Sequence, residues 1–457
     1  MKQGFVKVAA VTPNLQVADV EYNTGKICEA IDAAYENRAK VVVFPELCIT
    51  GYTCDLFLQD ILLEESKKAL LKIAKYTRDK DMLIFVGMPL MQDGKLYNVA
   101  AALNKGDILG FTTKTFLPNY GEFYEMRQFT PGPKEARWIL FEGNKVPFGP
   151  QILFECTTMP NLVVSAEICE DVWAPMPPSI QAALGGATLI VNCSASDETI
   201  GKSSYRRELI KGQSARLLAG YIYANAGEGE STTDLVFGGH NIIAENGSIL
   251  RESRRFVNRA IYSEIDINRL VGERRKNTTF QVNDVPGLIR VPFYLEMEKT
   301  YLTRKFSKHP FVPYNEREKA RRCEEILNIQ AMGLKKRLAH THAKTAVVGI
   351  SGGLDSTLAL IVTARAFDML KKDKKQIIAV TMPCFGTTDR TYQNACKMSK
   401  QLGATLIEVP IAEAVNIHFR DIGHDPKDHS VTYENGQARE RTQVLICLLY
   451  TSPSPRD

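Results

Sequence analysis

The chain has 457 residues, 44% hydrophobic and 24% charged, which suits a soluble globular protein of two or three domains. Fifty-seven basic against 52 acidic residues leave a net charge of +5, too small and dispersed to argue for nucleic acid or membrane, though it suits a phosphate-bearing substrate. Ten cysteines without a CxxC pair argue against a disulfide framework or a zinc ribbon, and a start without a signal-peptide core predicts a cytoplasmic, reduced protein.

Phe5 to Thr12 reads as an apolar strand, followed by a helix over Val20 to Arg38 with Ile27, Ala30, Ile31 and Ala34 at helical spacing. Val41 to Phe44 is a second buried strand that ends in Pro45-Glu46. A helix over 60–79 and a strand over Met82 to Pro89 follow, then a hairpin of Leu96–Leu103 and Ile108–Thr112, which runs into Lys114. The strand Asn161–Ala166 leads to Cys169, a short helix covers Pro178–Gly185, and Ala187 to Asn192 is a strand. A polar loop from Ser194 to Lys202, a helix over 203–219 and a strand over Tyr221–Asn225 come next. Asn246-Gly247 closes a hairpin before a last strand at Ala260–Ile265. This pattern predicts an α/β sandwich. From about 271 to 315 prolines, basic residues and aromatics read as an ordered connector. Glu316 to Ala339 is helical, and then strand 345–350, helix 354–370, strand 377–382, helix 389–402, strand 405–409 and helix 411–421 alternate. Such alternation means a parallel sheet with helices on both faces.

Glu46, Lys114 and Cys169 each follow a strand. A thiol with a proton acceptor and a nearby cation makes an amide-hydrolysing site: Glu46 takes the thiol proton and returns it to departing ammonia, and Lys114 steadies the oxyanion. Spacing alone does not bring the three together. The local sequences FPELCITGY, TKTFLPNYGEFYE and AEICEDVW resemble, in this order, the three signature blocks of the nitrilase (carbon–nitrogen hydrolase) superfamily. The resemblance covers roughly 4–270. It implies an αββα sandwich, with Glu46 the base, Lys114 the lysine, Cys169 the nucleophile and Glu122 a supporting second glutamate.

In the second domain Ser351-Gly-Gly-Leu-Asp355-Ser356-Thr357 joins a strand to a helix N-terminus, which makes a cradle for a phosphate-like anion. It lacks the Gly-Lys-Ser/Thr ending of a Walker loop and resembles the SGGxDS signature of ATP pyrophosphatases. A nitrilase domain joined to an SGGLDS domain resembles the glutamine-dependent NAD synthetases, carbon–nitrogen ligases with glutamine as amido donor, over nearly the whole chain to about 446. That resemblance implies an adenine nucleotide alpha hydrolase-like, Rossmann-like doubly wound second domain over 316–446.

It also implies glutamine contacts at Tyr120, Ser196 and Lys202, where the plain alternative is a solvated loop. ATP would lie on Gly349, Ile350, Ser351, Gly352, Gly353, Leu354, Asp355 and Ser356, with Met382 at adenine and Mg²⁺ on Asp355. Deamido-NAD would contact Asn435 and Arg439, four apart on one helical face, where the alternative is a solvated helix start. The implied partners are these small molecules, with neither nucleic acid nor membrane. The family also implies a homo-oligomer and an ammonia tunnel.

Past Ile446 the family pattern gives way to Cys447–Asp457, whose prolines stop a helix. The expectation is a truncated or out-of-register end and an incomplete synthetase site. Rival readings are a stand-alone nitrilase or amidase with a degenerate second domain, another ATP-pyrophosphatase amidotransferase, and a non-catalytic truncated subunit of an oligomer.

Overall fold

The structure is a computed structural model that describes residues 1–53, 55–386 and 389–450. It divides into two compact units, 1–305 and 306–457.

The first unit opens with β1 (Phe5–Val11), α1 (Val20–Glu36), β2 (Val41–Val43), α2 (Asp60–Tyr76) and β3 (Leu83–Gln92). Then come β4 (Lys95–Asn104), β5 (Asp107–Thr113), β6 (Arg137–Phe141), β7 (Asn144–Gly149) and β8 (Ile152–Cys156). β9 (Val163–Ile168), α3 (Pro178–Leu184), β10 (Leu189–Ser194), α4 (Lys202–Arg216) and β11 (Gly220–Asn225) follow. β12 (Ile242–Glu245), β13 (Ser248–Glu252), β14 (Ala260–Asp266), α5 (Ile267–Lys276) and β15 (Ile289–Phe293) complete it.

The strands form an eight-stranded sheet ordered β14-β1-β2-β3-β4-β5-β7-β6 and a seven-stranded sheet ordered β13-β12-β11-β10-β9-β8-β15. Strand residues alternate between faces, and both faces of each sheet are apolar. Val8, Val41, Val43 and Phe85 face Phe154, Val164, Val191 and Ile222 across the middle of a sandwich. Ala9, Val42 and Ile84 pack outward on Ile27 and Ile31 of α1 and on Leu70 and Ile73 of α2. Ile190 and Tyr221 pack outward on Ala182 of α3 and Ile210 of α4. This is the expected αββα arrangement.

Two stretches differ from the sequence reading. Strands β6, β7 and β8 occupy 137–156, where no element was expected. The segment read as a connector carries α5 and β15, and β15 pairs in parallel with β8 at the edge of the second sheet. Its alternating Val291 and Phe293 bury against that sheet, so the first unit extends to Lys305.

The second unit holds α6 (Glu316–His340), β16 (Ala346–Gly349), α7 (Leu354–Leu370), β17 (Ile377–Thr381), α8 (Asp389–Gln401), β18 (Thr405–Glu408), α9 (Ala412–Ile422) and α10 (Val431–Tyr450). The sheet runs β16-β17-β18, all parallel. Leu338, Leu360, Phe367 and Ala395 cover one face over Val348, Ile377 and Ala379. Val415, Phe419 and Leu445 cover the other over Val347, Ile378 and Val380. That is a doubly wound sheet, as expected. Residues 447–450, expected in an atypical tail, instead continue α10. The rest of that tail, 451–457, lies outside the described residues. No helix among the described residues is long and apolar enough to cross a membrane.

Candidate active site

In the first unit both sheets deliver polar side chains at strand ends. Glu46 leaves the end of β2 through Phe44-Pro45, and its turn lies so close to β3 that a Cβ on Gly87 would stand 2.4 Å from Leu47 N and 2.5 Å from Pro45 O. Only glycine fits there. Lys114 follows the last residue of β5. Its Nζ sits 2.6 Å from Glu46 Oε1 and 2.6 Å from Glu125 Oε1, with the lysine and Glu46 side chains fully buried. Asn98 Nδ2 donates to Glu46 Oε1 at 2.6 Å, and the Ala195 N–H, just past β10, donates to Oε2 at 3.0 Å. The Tyr52 hydroxyl donates to Glu125. Burial works to lower the Lys114 pKa, but the Glu125 and Glu46 carboxylates outweigh it and keep the ammonium charged. Burial pushes Glu125 up to about 7 against the pull of Lys114.

The second glutamate that the structure places against Lys114 is Glu125, where Glu122 was expected. The loop after Lys114 turns back through Pro118, whose carbonyl accepts the Glu125 N–H at 3.2 Å. That turn presents Glu125, the first residue of a 3₁₀ turn, to the lysine. Glu122 lies half-buried in the wall of a cavity of about 340 Å³, beside Tyr52, Phe57, Glu125 and Phe129.

Cys169 comes from the other sheet, at the end of β9. It is buried and takes a left-handed conformation with φ +41, a strained choice for a side-chain-bearing residue. Its N–H donates to Asn192 Oδ1 on β10 at 3.0 Å. Burial and the Glu46 charge push its thiol pKa well up, with Lys114 opposing, so the resting sulfur keeps its proton. Asp171 ties the two sides together. Its Oδ1 accepts the N–H groups of Thr115 (3.0 Å) and Phe116 (2.9 Å), directly after Lys114, and its Oδ2 accepts that of Ile168 at 3.0 Å, directly before Cys169. Glu230, fully buried nearby, accepts the Gly227 N–H at 3.2 Å, and burial raises it to about 8.

The three expected glutamine contacts gather around this centre. The exposed Tyr120 donates its hydroxyl to Glu170 Oε1 at 2.7 Å. Ser196 is buried, and its N–H donates to Asn225 Oδ1 at 2.8 Å. Lys202 starts α4, pairs with Asp197 and lies 5.5 Å and 5.7 Å from the Phe123 and Trp173 ring centres. Sequence reasoning missed Tyr52, Asn98, Glu125, Asp171, Glu170 and Asn192. For Asn98, Glu170, Asp171 and Asn192 the available signal was polar residues inside or beside otherwise apolar strands, whereas Tyr52 and Glu125 sit in loops that carry no such signal.

In the second unit the loop from Gly349 and Ile350 through Ser351, Gly352, Gly353, Leu354 and Asp355 to Ser356 joins β16 to α7. Gly352 has φ +80, and a Cβ there would meet the Thr391 carbonyl oxygen at 2.0 Å. Ser356 Oγ accepts the Ser351 N–H (3.2 Å), shares a hydrogen with Ser351 Oγ (3.1 Å) and donates to Gly353 O (3.0 Å). Ser351 and Asp355 are exposed. Met382 directly follows β17, in the apolar cluster of Phe419, and its Cε lies 3.3 Å from where a Gly349 Cβ would stand. Asn435 and Arg439 are exposed on α10. No group of three or more His, Cys, Asp or Glu side chains that could hold a metal occurs among the described residues. Asp355 as a lone carboxylate fits Mg²⁺ held mainly by substrate phosphates.

Two family models match the chain: carbon-nitrogen hydrolase over 7–275 and NAD synthase over 326–452. The glutamine-dependent NAD(+) synthetase of Mycobacterium tuberculosis is 40% identical over 97% of this chain and 68% of its own length. That of Aquifex aeolicus is 30% identical over 95% of this chain and 71% of its own. The crystal structure of a glutamine-dependent NAD(+) synthetase from Cytophaga hutchinsonii shares the fold, with a TM-score of 0.52 at 24% identity over 98% of this chain and 73% of that one.

Proposed function

The chain belongs to the glutamine-dependent NAD(+) synthetases, and from that premise we propose that its first unit releases ammonia from glutamine and its second uses it to amidate deamido-NAD. Similarity across nearly the whole chain, through both domains, disfavours a stand-alone amidase. The observation that supports the division of labour is the buried Glu46–Lys114–Glu125 cluster, which acts electrostatically on Cys169.

Cys169 Sγ attacks the side-chain amide carbon of glutamine as Glu46 takes the thiol proton. The neutral resting thiol makes that transfer part of the attack. The Lys114 ammonium faces the oxygen that gains charge, inside a water-poor site where such stabilisation is strong. The C–N bond then breaks, and Glu46 gives the proton to departing ammonia. Water opens the thioester with Glu46 again as base, and glutamate leaves. Glu125 keeps Lys114 charged and in place. Tyr120, Ser196 and Lys202 hold the amino-acid end of glutamine.

In the second unit the 349–356 loop cradles the ATP phosphates, with Met382 at adenine and Asn435 and Arg439 on deamido-NAD. Asp355 and the phosphates would hold Mg²⁺, which supplies charge neutralisation to the phosphates. The deamido-NAD carboxylate displaces pyrophosphate to form an adenylate, and ammonia displaces AMP to give NAD. In a version extended to the length of its relatives, Cys169→Ala tests the scheme. It is expected to lose glutamine hydrolysis by about three orders of magnitude or more and to retain NAD formation from added ammonia. Loss of both activities, or loss of neither, contradicts the assignment.

A further inference from the structure

The loop between β10 and α4 carries Ser196 and Lys202 into the site, and one side chain grips it from inside the fold. Arg206, one helical turn after Lys202, is completely buried. Its Nη2 donates to the Ser196 carbonyl (3.3 Å), the Ser196 hydroxyl (3.1 Å) and the Asp197 carbonyl (2.8 Å). Its Nη1 donates to Glu198 Oε1 at 2.7 Å and lies 3.0 Å from His240 Nδ1. Behind these, Arg255 pairs with Glu198 at 3.1 Å, and His240 Nε2 sits 2.8 Å from Glu252.

Burying a guanidinium is expensive, and an apolar side chain would fill the same volume at less cost. A rigid planar fork offers directional control over several acceptors at once. Here the fork closes on the backbone of the residue whose carboxylate pairs with Lys202. Asp197 is thus held at its carbonyl by Arg206, and its carboxylate engages Lys202. Lys202 lies over the ring of Trp173, four residues past Cys169.

We propose that Arg206 is the positioning residue of the glutamine subsite: by fixing the Ser196 and Asp197 backbone it sets the Asp197 carboxylate, and through it the Lys202 ammonium that receives the α-carboxylate of glutamine. The proposal rests on the glutaminase reading above. Arg206 touches no reacting atom, so its loss weakens capture of the amino-acid end and leaves the thiol itself intact.

Two thiol reagents separate these effects. Iodoacetamide has no amino-acid end, whereas the diazoketone analogue of glutamine carries both the α-ammonium and the α-carboxylate. If the wild-type protein reacts no faster with the analogue than with iodoacetamide, the glutaminase reading fails, and the proposal falls with it. If wild-type labelling is selective, Arg206→Lys is expected to slow analogue labelling of Cys169 about tenfold or more, through weaker initial binding, with iodoacetamide labelling unchanged. Combined with Lys202→Met, it should slow the analogue no further than Lys202→Met alone. Unchanged analogue labelling, equal slowing of both reagents, or additive losses in the double variant would each overturn the proposal. Should Arg206→Lys fail to fold, Asp197→Asn carries the test. It must reproduce the selective loss, and normal analogue labelling would sink the idea.

Discussion

The two sites of this chain are built on opposite terms. Around Cys169 the ionic groups are sealed away from water and answer one another: Lys114 lies between two carboxylates, and Glu46 accepts from Asn98 and from the Ala195 N–H. The loop between β16 and α7 is open, its hydroxyls bond within the loop, and its one carboxylate faces solvent. A neutral amide brings no charge, so the protein must supply both signs in advance at high desolvation cost. A nucleotide brings its own charge and its own cation, so a glycine turn at a helix N-terminus suffices. The same function class thus yields one site that helps to hold the fold in register and one that rests on it.

Substitutions can break that contrast. The largest effect is expected from Lys114→Met, which leaves two buried carboxylates without their cation. It should cost about 3–5 kcal/mol of first-unit stability along with glutamine hydrolysis, and denaturant unfolding with an ammonia-release assay reads both. A stable Lys114→Met protein would show that the cluster is not structural. Next, Gly352→Ala places a methyl against the Thr391 carbonyl in a left-handed turn and is expected to cost about 1–3 kcal/mol, with ATP binding weakened. Unchanged nucleotide binding by calorimetry would refute that strain.

A smaller effect belongs to Glu230. Its folded pKa of about 8 stands above the ordinary 4.5, so the fold favours its neutral form. That stability is present below about 4.5 and is lost as pH rises through about 8. Glu230→Gln stays neutral throughout, so the variant should gain in melting temperature relative to wild type as pH rises through that window. A difference that does not change with pH would rule this out. Asp355→Asn, at the open site, should leave the melting curve where it was and abolish the metal-dependent part of ATP binding. A lowered melting temperature would mean that the open loop, too, holds the fold.

Much of the buried site was legible because the largely apolar strands Val41–Val43, Asp107–Thr113 and Val163–Ile168 end at or shortly before Glu46, Lys114 and Cys169, inside the three blocks that resemble a known family. Glu125 was not, because no periodicity governs an irregular loop. Only the turn through Pro118 decides which of the loop's two glutamates, Glu122 or Glu125, reaches the lysine. Residues 137–149 were missed for a similar reason. Arg137–Phe141 and Asn144–Gly149 alternate unevenly in burial, and their two-residue turn at Glu142-Gly143, with φ of +49 and +76, lacks the Asn-Gly pair that exposed the hairpin at 246–247. The β15 segment was hidden because a lone strand far along the chain joins the edge of a sheet built long before it. The loop at Ser351–Ser356 was plain in the sequence as a strand, a glycine turn and a helix start. Its internal hydroxyl bonding was not, since that depends on which way two serines turn.

Glu46 and Lys114 stand on one sheet and Cys169 on the other, and this makes the enzyme a gauge of its own assembly. One residue of strand travel is about 3.3 Å, more than the length of the hydrogen bond a proton transfer needs. Two layers packed with the right partners but slipped by a single step would still give the circular dichroism of an αββα protein. They would bury nearly as much apolar surface and yet carry the thiol out of reach of its base. Activity recovered during refolding should therefore lag the return of secondary structure, with Asp171, bonded on both sides of the gap, as the latch that ends the delay.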